Sequence, residues 1–201
     1  MLILFGIIFY LLGSIPFGFL IAKAVKNIDI RKYGSGSIGS TNVVRVVGKP
    51  FGILVFILDF LKGFLPVVLT HLIFKLETQQ ILFISIFLVF GHNWPVFLGF
   101  RGGKGVAVSL AIFFGLAFVV SKLWLCIISG ILSWILVFFI TRYVSLASLI
   151  SSLVFFLISI FLIKDFYLNL FILFLLSLIV IRHSKNIKNL INKKEFKFNR
   201  R

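Results

Sequence analysis

The sequence has 201 residues, of which 61% are hydrophobic and 13% are charged. With a mean hydropathy of +1.18, the chain lacks the polar surface that a water-soluble globule needs, so lipid must be its solvent. The net charge of +16 does not indicate a nucleic-acid partner, because the basic residues lie in loops and a tail between apolar segments. We expect anionic membrane lipid and anionic substrates as partners.

Apolar segments of helical spanning length follow one another along the whole chain. The predicted spans cover residues 2–25, 51–74, 80–98, 106–120, 123–140, 146–163 and 166–181. The runs are continuous and lack the alternation of a membrane barrel, which favours helices. The first span has no basic residues ahead of it and no cleavage signal, so we expect it to be retained. We predict an all-α integral membrane protein in which residues 1–201 form one domain of seven transmembrane helices.

The distribution of Lys and Arg predicts the orientation of the spans. With the N-terminus outside, 17 of the 21 basic residues fall in cytoplasmic segments, and three, Lys75, Lys122 and Lys164, fall outside. The remaining one, Lys62, lies within a span. Because cytoplasmic loops are enriched in Lys and Arg, we predict a multi-pass protein of the inner (cytoplasmic) membrane. Its basic tail, about residues 183–201, is then cytoplasmic.

The first predicted inner segment carries the sequence GSGSIGSTNVVR at residues 34–45. It fits the dinucleotide pattern G-x-G-x-x-G, but that pattern requires a soluble βαβ unit and this copy lies between spans. Glycines still allow backbone N–H groups to approach a phosphate, and hydroxyls with an arginine can complete the site. A flexible loop with an arginine that reaches the membrane surface remains the alternative. The candidate phosphate ligands are Gly34, Ser35, Gly36, Gly39, Thr41, Asn42 and Arg45.

A second glycine cluster, at residues 99–105, precedes the fourth span. It departs from the nucleotide-binding P-loop because Gly105 occupies the Ser/Thr position that would hold magnesium. Gly102, Gly103 and Lys104 instead indicate an anion cradle at the start of a helix. A basic anchor at the membrane surface explains the same residues equally well.

The remaining polar residues are fewer. His183 and Asn186 stand three apart and share a helix face, although a single boundary histidine is more often interfacial. Ser145 is either a site hydroxyl or a helix N-cap. Asp59 and Lys62 lie inside the second span and are expected to pair, with a proton relay as the alternative. We expect no metal, since clusters of His and carboxylate are missing from the sequence, and Cys126 is the single cysteine.

Together these segments resemble the acyl-phosphate-dependent glycerol 3-phosphate acyltransferases of bacterial membranes. Six stretches carry the resemblance in family order: LLGSIPFG from Leu11, GSGSIGSTNVVR from Gly34, LDFLKG from Leu58, GHNWPVFLGFRGGKGVA from Gly91, RYVSLAS from Arg142 and RHSKNI from Arg182. The resemblance implies seven spans, an external N-terminus and a cytoplasmic active site. Position by position, it implies that the site is lined by Ser35, Arg45, Lys104, Ser145, His183 and Asn186, with Thr41, Gly102 and Gly103 helping to hold phosphate.

The reaction that the resemblance implies transfers a fatty acyl group from acyl-phosphate to the 1-hydroxyl of glycerol 3-phosphate. It yields lysophosphatidic acid and phosphate, needs no cofactor and implies no obligate protein partner. This chain departs from the family at Ser37, where Asn is usual, and at Val108, where Thr is common. The rival interpretation is a small transporter for an anionic metabolite, although the sequence shows no inverted repeat.

Overall fold

The structure is a computed structural model that describes residues 1–198. Arg200 and Arg201, which the charge count assigns to the cytoplasmic side, lie outside the described residues. Within residues 1–198 the regular secondary structure is helical and contains no strand. The α-helices are α1 (Leu2–Ser14), α2 (Phe17–Lys26), α3 (Ser40–Val46), α4 (Lys49–Leu72), α5 (Thr78–Asn93), α6 (Val106–Leu116), α7 (Leu123–Thr141), α8 (Val144–Leu162), α9 (Phe166–Arg182) and α10 (Ser184–Ile191).

Most of the predicted spans coincide with long apolar helices. Within the described residues, five segments are long and apolar enough to cross a bilayer: Leu2–Lys26, Lys49–Leu72, Thr78–Leu98, Leu123–Thr141 and Val144–Leu162. The bent pair α9 and α10 makes a sixth if it counts as one span. The all-helical membrane class is therefore confirmed, while the count of seven stays a prediction.

The fourth predicted span contains a shorter helix than expected. α6 has 11 residues and ends at Leu116, followed by a turn in which the Val119 and Val120 amides donate to the carbonyl of Leu116. At 1.5 Å per residue, a helix of this length rises about 16 Å, roughly half the thickness of a bilayer core. α6 alone therefore does not reach across.

The described residues fold as two compact units, which divide after Gly115. In the first unit, Pro16 separates α1 from α2, because proline lacks an N–H and disfavours a helical residue before it. α1 packs on α5 through two glycines. A Cβ on Gly13 would overlap the backbone of Leu88, and one on Gly91 would overlap the carbonyl of Tyr10.

An apolar core anchors residues 30–47 of the first unit between α2, α3 and α4. Its buried side chains come from all three helices and from the connecting loop: Ala22, Ile30, Ile38, Val43, Val47 and Val55. Gly52 allows α4 to approach α3, since a Cβ there would overlap Val44. This packing fixes residues 30–47 against the spans.

In the second unit, α7 and α8 form an antiparallel pair joined by a tight turn. Arg142 ends α7 in the left-handed region with φ 62°, and Tyr143 is the N-cap of α8. α9 and α10 meet at a bend of 58°, at which His183 caps both helices. The turn and the bend position the polar residues of this unit.

Candidate active site

The first glycine segment, residues 34–45, is organised by the buried side chain of Asn42. Its Oδ1 accepts a hydrogen bond of 3.0 Å from the Ser35 amide. Its Nδ2 donates to the carbonyls of Ser37 at 2.8 Å, Tyr33 at 3.1 Å and Ile30 at 3.4 Å. The side-chain amide of Asn42 thus links four backbone groups of the segment that leads into α3. Asn42 has a structural role that the sequence did not reveal, and phosphate binding by its side chain stays a prediction.

Two glycines of this segment have backbone conformations that other residues rarely adopt. Gly34 has φ 57° and Gly36 has φ 74°. A Cβ on Gly34 would also overlap Oδ1 of Asn42. These glycines are required by the turn itself, and a phosphate ligand is not needed to explain them.

Arg31 fixes the base of the same loop. Its guanidinium forms an ion pair of 2.8 Å with Asp29 and donates a 3.0 Å hydrogen bond to the carbonyl of Leu98. The hydrogen bond from Arg31 holds the pKa of the Asp29 carboxyl below its usual value. This loop is thereby attached to the 3₁₀ turn Val96–Leu98, just before the second glycine cluster.

The short helix α3 carries two of the predicted site residues. Thr41 and Arg45 are half-buried on it, and Arg45 lies in its last turn. Ser35 is half-buried in the loop that precedes α3. Because Asn42 lies on the same helix and binds the amide of Ser35, it couples the position of Ser35 to that of α3.

The second cluster forms a turn, residues 102–104, that we call the glycine turn. The Gly103 amide donates a 2.9 Å hydrogen bond to the carbonyl of His92. Neither glycine of the turn tolerates a side chain. A Cβ on Gly103 would overlap the imidazole of His92, and one on Gly102 would overlap the His92 carbonyl and Pro95. Lys104 follows the two glycines, is half-buried and lies just before α6. Its position therefore depends on how Gly102 and Gly103 pack against His92.

Asp59 and Lys62 form the intramembrane ion pair expected from the sequence. Lys62 Nζ lies 2.7 Å from Asp59 Oδ1, and both side chains are almost fully buried. Lys62 also donates a 2.8 Å hydrogen bond to the carbonyl of Ile15, at the break between α1 and α2. His92 Nδ1 lies 3.8 Å from the same Asp59 oxygen. The pair therefore connects the α1–α2 break with the residue that supports the glycine turn.

In the second unit, Glu195 joins two of the predicted site residues. Its Oε1 accepts a 2.8 Å hydrogen bond from Ser145 Oγ and one of 2.7 Å from Asn186 Nδ2. Ser145 is therefore not the N-cap of α8, which is Tyr143. Sequence reasoning missed Glu195. It is an acidic residue in an otherwise basic tail, and that contrast was the available signal.

The segment around Glu195 is held against the turn between α7 and α8. The Phe198 amide donates a 2.8 Å hydrogen bond to the carbonyl of Arg142, and its ring lies 5.7 Å from that of Phe138. Lys197 Nζ lies 5.6 Å from the ring centroid of Tyr143. These contacts keep the Glu195 carboxylate beside the start of α8.

His183 is buried at the bend between α9 and α10. Its Nδ1 lies 2.8 Å from the carbonyl of Ile179. Because a carbonyl can only accept, Nδ1 must carry the proton. In the neutral ring, Nε2 is then the acceptor nitrogen, whereas in the imidazolium it is a second donor. Asn186 lies in the first turn of α10, three residues after the cap.

Comparison with known proteins identifies the family. The profile of the family described as glycerol-3-phosphate acyltransferase matches residues 3–193. The chain is 41% identical over 198 residues to the glycerol-3-phosphate acyltransferase of Aquifex aeolicus (strain VF5), which covers 97% of this chain and 98% of the relative. The chain belongs to the glycerol-3-phosphate acyltransferase family. Glycerol-3-phosphate acyltransferase 2 of Thermotoga maritima is 40% identical to this chain, and the match covers 98% of this chain and 96% of the relative.

Two solved structures of a member of this acyltransferase family have the same fold. PlsY, described as an integral membrane glycerol 3-phosphate acyltransferase, matches in its glycerol 3-phosphate form with a TM-score of 0.89 and 38% identity, covering 98% of this chain and 96% of that one. Its lysophosphatidic acid form matches with a TM-score of 0.86. The predicted resemblance is confirmed, and the protein is a multi-pass membrane acyltransferase of phospholipid biosynthesis.

The two departures from the family pattern have clear structural settings. Ser37 Oγ accepts a 3.2 Å hydrogen bond from the Gly39 amide, so serine supports the loop locally. Val108 is fully buried on α6 at a close helix contact, since a Cβ on Gly63 would lie 2.9 Å from the Val108 carbonyl. Each departure is accommodated by the packing around it.

Proposed function

We propose that this protein transfers a fatty acyl group from acyl-phosphate to the 1-hydroxyl of glycerol 3-phosphate. The observation that carries the proposal is the likeness, over 98% of the chain, to an acyltransferase solved in both a glycerol 3-phosphate form and a lysophosphatidic acid form. Those forms correspond to the acceptor and the product of the proposed reaction. Both proposed substrates are phosphorylated and one carries an acyl chain, which suits anion-binding residues in a lipid-embedded protein.

We assign the anionic groups of the substrates to the polar residues of each unit. In the first unit, Arg45 and Lys104 bind the phosphate of glycerol 3-phosphate, while Thr41 and the backbone of the glycine turn bind the phosphate of the acyl donor. Charge-assisted hydrogen bonds are the strongest that a protein can offer to a phosphate. The support comes from the half-buried positions of Arg45 and Lys104 and from the close packing that fixes the turn.

In the second unit, Ser145, His183 and Asn186 are the residues that we assign to substrate binding. His183 binds the glycerol phosphate through its imidazole, which the contact between Nδ1 and the Ile179 carbonyl holds in place. Glu195 orients Ser145 and Asn186 through its two hydrogen bonds. Ser35, Gly34, Gly36, Gly39 and Asn42 complete the set of residues that we propose to bind substrate or to shape the binding loop.

The proposed chemistry is direct acyl transfer. The 1-hydroxyl oxygen attacks the acyl carbonyl carbon, the bond from that carbon to the phosphate oxygen breaks, and inorganic phosphate leaves. A phosphate oxygen of a substrate accepts the hydroxyl proton, since the residues assigned above include no carboxylate in contact with substrate. Phosphate is a good leaving group, so positioning and electrostatic stabilisation supply the catalysis.

We also propose the orientation that the charge distribution favours. The chain crosses the inner membrane seven times, with its N-terminus outside and its tail and active site in the cytoplasm. The excess of Lys and Arg in the inner segments supports this orientation. No cofactor, metal or obligate protein partner enters the scheme.

The identity of the acyl donor tests the proposal directly. Purified protein in detergent is supplied with radiolabelled glycerol 3-phosphate and, in separate reactions, with acyl-phosphate, acyl-CoA or the acyl-carrier-protein thioester. We expect lipid-extractable lysophosphatidic acid only with acyl-phosphate. Product from thioesters alone would overturn the proposed donor. Uptake of label into sealed vesicles without any lipid product would instead indicate a transporter.

A further inference from the structure

Three ionisable side chains that the proposed reaction does not use lie buried together in the first unit. Asp59, Lys62 and His92 are 3%, 7% and 4% exposed, and both His92 and Lys62 approach the same oxygen of Asp59. We propose that they are positioning residues, which hold the glycine turn in the conformation that binds a substrate phosphate. This inference rests on the proposed function of that turn.

The contact between His92 and the turn is close on two sides. The His92 carbonyl accepts the hydrogen bond from the Gly103 amide. The imidazole ring lies so near Gly103 that a single added carbon would overlap its Nε2, and the carbonyl is equally near Gly102. The turn is therefore wrapped around His92, and a change in the position of this residue must move the turn.

His92 lies near the C-terminal end of α5, where a helix is least constrained by its own hydrogen bonds. Its imidazole is buried against Gly103. Asp59 Oδ1 lies 3.8 Å from Nδ1, which is within reach of an ion pair with the imidazolium but too long for a hydrogen bond. A contact between α4 and α5 thus joins the ion pair of Asp59 and Lys62 to the residue that supports the turn.

Lys62 holds the Asp59 carboxylate in place. Besides the 2.7 Å ion pair, its ammonium donates to the Ile15 carbonyl and lies 5.4 Å from the ring centroid of Phe17. The same Ile15 carbonyl, which precedes Pro16, also accepts a 3.2 Å hydrogen bond from the Phe17 amide. A continuous set of contacts therefore runs from the α1–α2 break through Lys62, Asp59 and His92 to Gly103.

Stability alone does not explain this ion pair. Replacing a buried ion pair by apolar groups of similar volume is often neutral or stabilising, whereas removing one partner is strongly destabilising. Ionisable residues within spans are also rare and usually functional. The double substitution Asp59→Leu with Lys62→Met can therefore separate folding from positioning, because it replaces both charged side chains by apolar ones of broadly similar size.

We expect the double variant to melt within a few degrees of the wild type. We also expect its KM for acyl-phosphate to rise roughly tenfold, because small displacements of binding groups have large kinetic effects. Its kcat should change by less than about threefold, which is the pattern of lost substrate binding. A variant that only perturbed folding would lose active protein and keep the wild-type KM. The matched control is Thr70→Val, a buried polar change on α4 that removes hydrogen bonds within the helix, and it should leave KM unchanged.

Hydrogen exchange provides a readout that does not depend on activity. In the wild type the amide of Gly103 is hydrogen-bonded to His92, so the peptide that contains the turn should exchange slowly. In the double variant this peptide should exchange at least about tenfold faster, as local opening becomes easier. If the wild type transferred no acyl group from acyl-phosphate, the proposed function would fail, and the exchange result would still decide the positioning role.

A second variant decides the matter if the double variant does not fold. His92→Gln leaves the ion pair intact and removes the imidazole, and it should show the same rise in KM and the same faster exchange. Wild-type KM together with unchanged exchange, in either folded variant, would overturn the inference.

Discussion

The hydroxyl of Ser145 donates a 2.8 Å hydrogen bond to the carboxylate of Glu195, which lies fifty positions later in the chain. The same oxygen accepts a hydrogen bond from Asn186. One acidic side chain therefore sets the distance between two polar groups on different helices, α8 and α10. Loss of this carboxylate would leave two buried donors without their acceptor.

Glu195→Ala is expected to reduce acyl transfer by roughly 10- to 100-fold, because each buried donor left unsatisfied costs about 1–3 kcal/mol. Glu195→Gln should be milder, since its amide oxygen can still accept but without the charge that strengthens the bonds. Initial rates of lysophosphatidic acid formation by purified variants measure the effect. Lys194→Ala, an exposed neighbour, is the control. A wild-type rate for Glu195→Ala would contradict the bridging role.

Asn42→Asp tests the organisation of the first glycine segment. The change replaces the Nδ2 donor by an oxygen that faces three carbonyl oxygens. We expect a lower melting temperature and roughly 100-fold lower activity, because buried donors and acceptors would be mismatched.

Ser37→Ala is the matched control for Asn42→Asp. It removes one hydrogen bond, to the Gly39 amide, and should cost only about 1 kcal/mol. Equal melting temperatures for the two variants would show that Asn42 does not organise this loop.

Gly103→Ala tests the packing of the glycine turn. The added methyl group would overlap the imidazole of His92, so the turn must shift, and a shift of about 1 Å is expected to reduce the rate about 100-fold. Gly130→Ala in α7 is the control, because its methyl group would meet only ordinary contacts of 3.5 Å or more. Rates are compared at equal amounts of monodisperse protein. Similar activity of both variants would argue against a strict requirement for glycine in the turn.

The predicted topology places the tail in the cytoplasm. A green fluorescent protein fused after the last residue should fluoresce, and alkaline phosphatase fused there should be inactive. Alkaline phosphatase inserted at Lys75 should be active, since the charge distribution assigns this residue to the outside. An active phosphatase at the C-terminus would contradict the predicted topology, because it would require either an even number of spans or the inverted orientation.

The helices and the family could be predicted from the sequence because both depend on strong local signals. Apolar runs of bilayer length indicate spans whatever they pack against, and the ion pair of Asp59 with Lys62 follows from the cost of burying a charge alone. α6 was overestimated because the apolar run from Val106 to Val120 continues beyond the helix into a turn. Hydropathy does not distinguish an apolar helix from the apolar turn that follows it.

The contacts that shape the site could not be predicted in the same way. The contact of His92 with Gly103 depends on the chain folding back across Pro95, which no local pattern in the sequence shows. Asn42 resembled a ligand, since nothing local shows that its amide binds three carbonyls of its own loop. Glu195 lies in a tail whose basic residues indicate only a segment that stays on the cytoplasmic side. In each case the partner is set by tertiary packing, which periodicity and charge counts do not record.

Lys104 is the residue that connects the glycine turn most directly with the proposed chemistry. The most direct test compares wild-type protein and Lys104→Ala, purified in equal amounts, in transfer from acyl-phosphate to radiolabelled glycerol 3-phosphate. The wild type should form lysophosphatidic acid and release one phosphate per acyl group, while the variant should lose activity by at least about 100-fold, as expected for a missing charge-assisted phosphate contact. Normal transfer by Lys104→Ala, or no transfer by the wild type, would contradict this account.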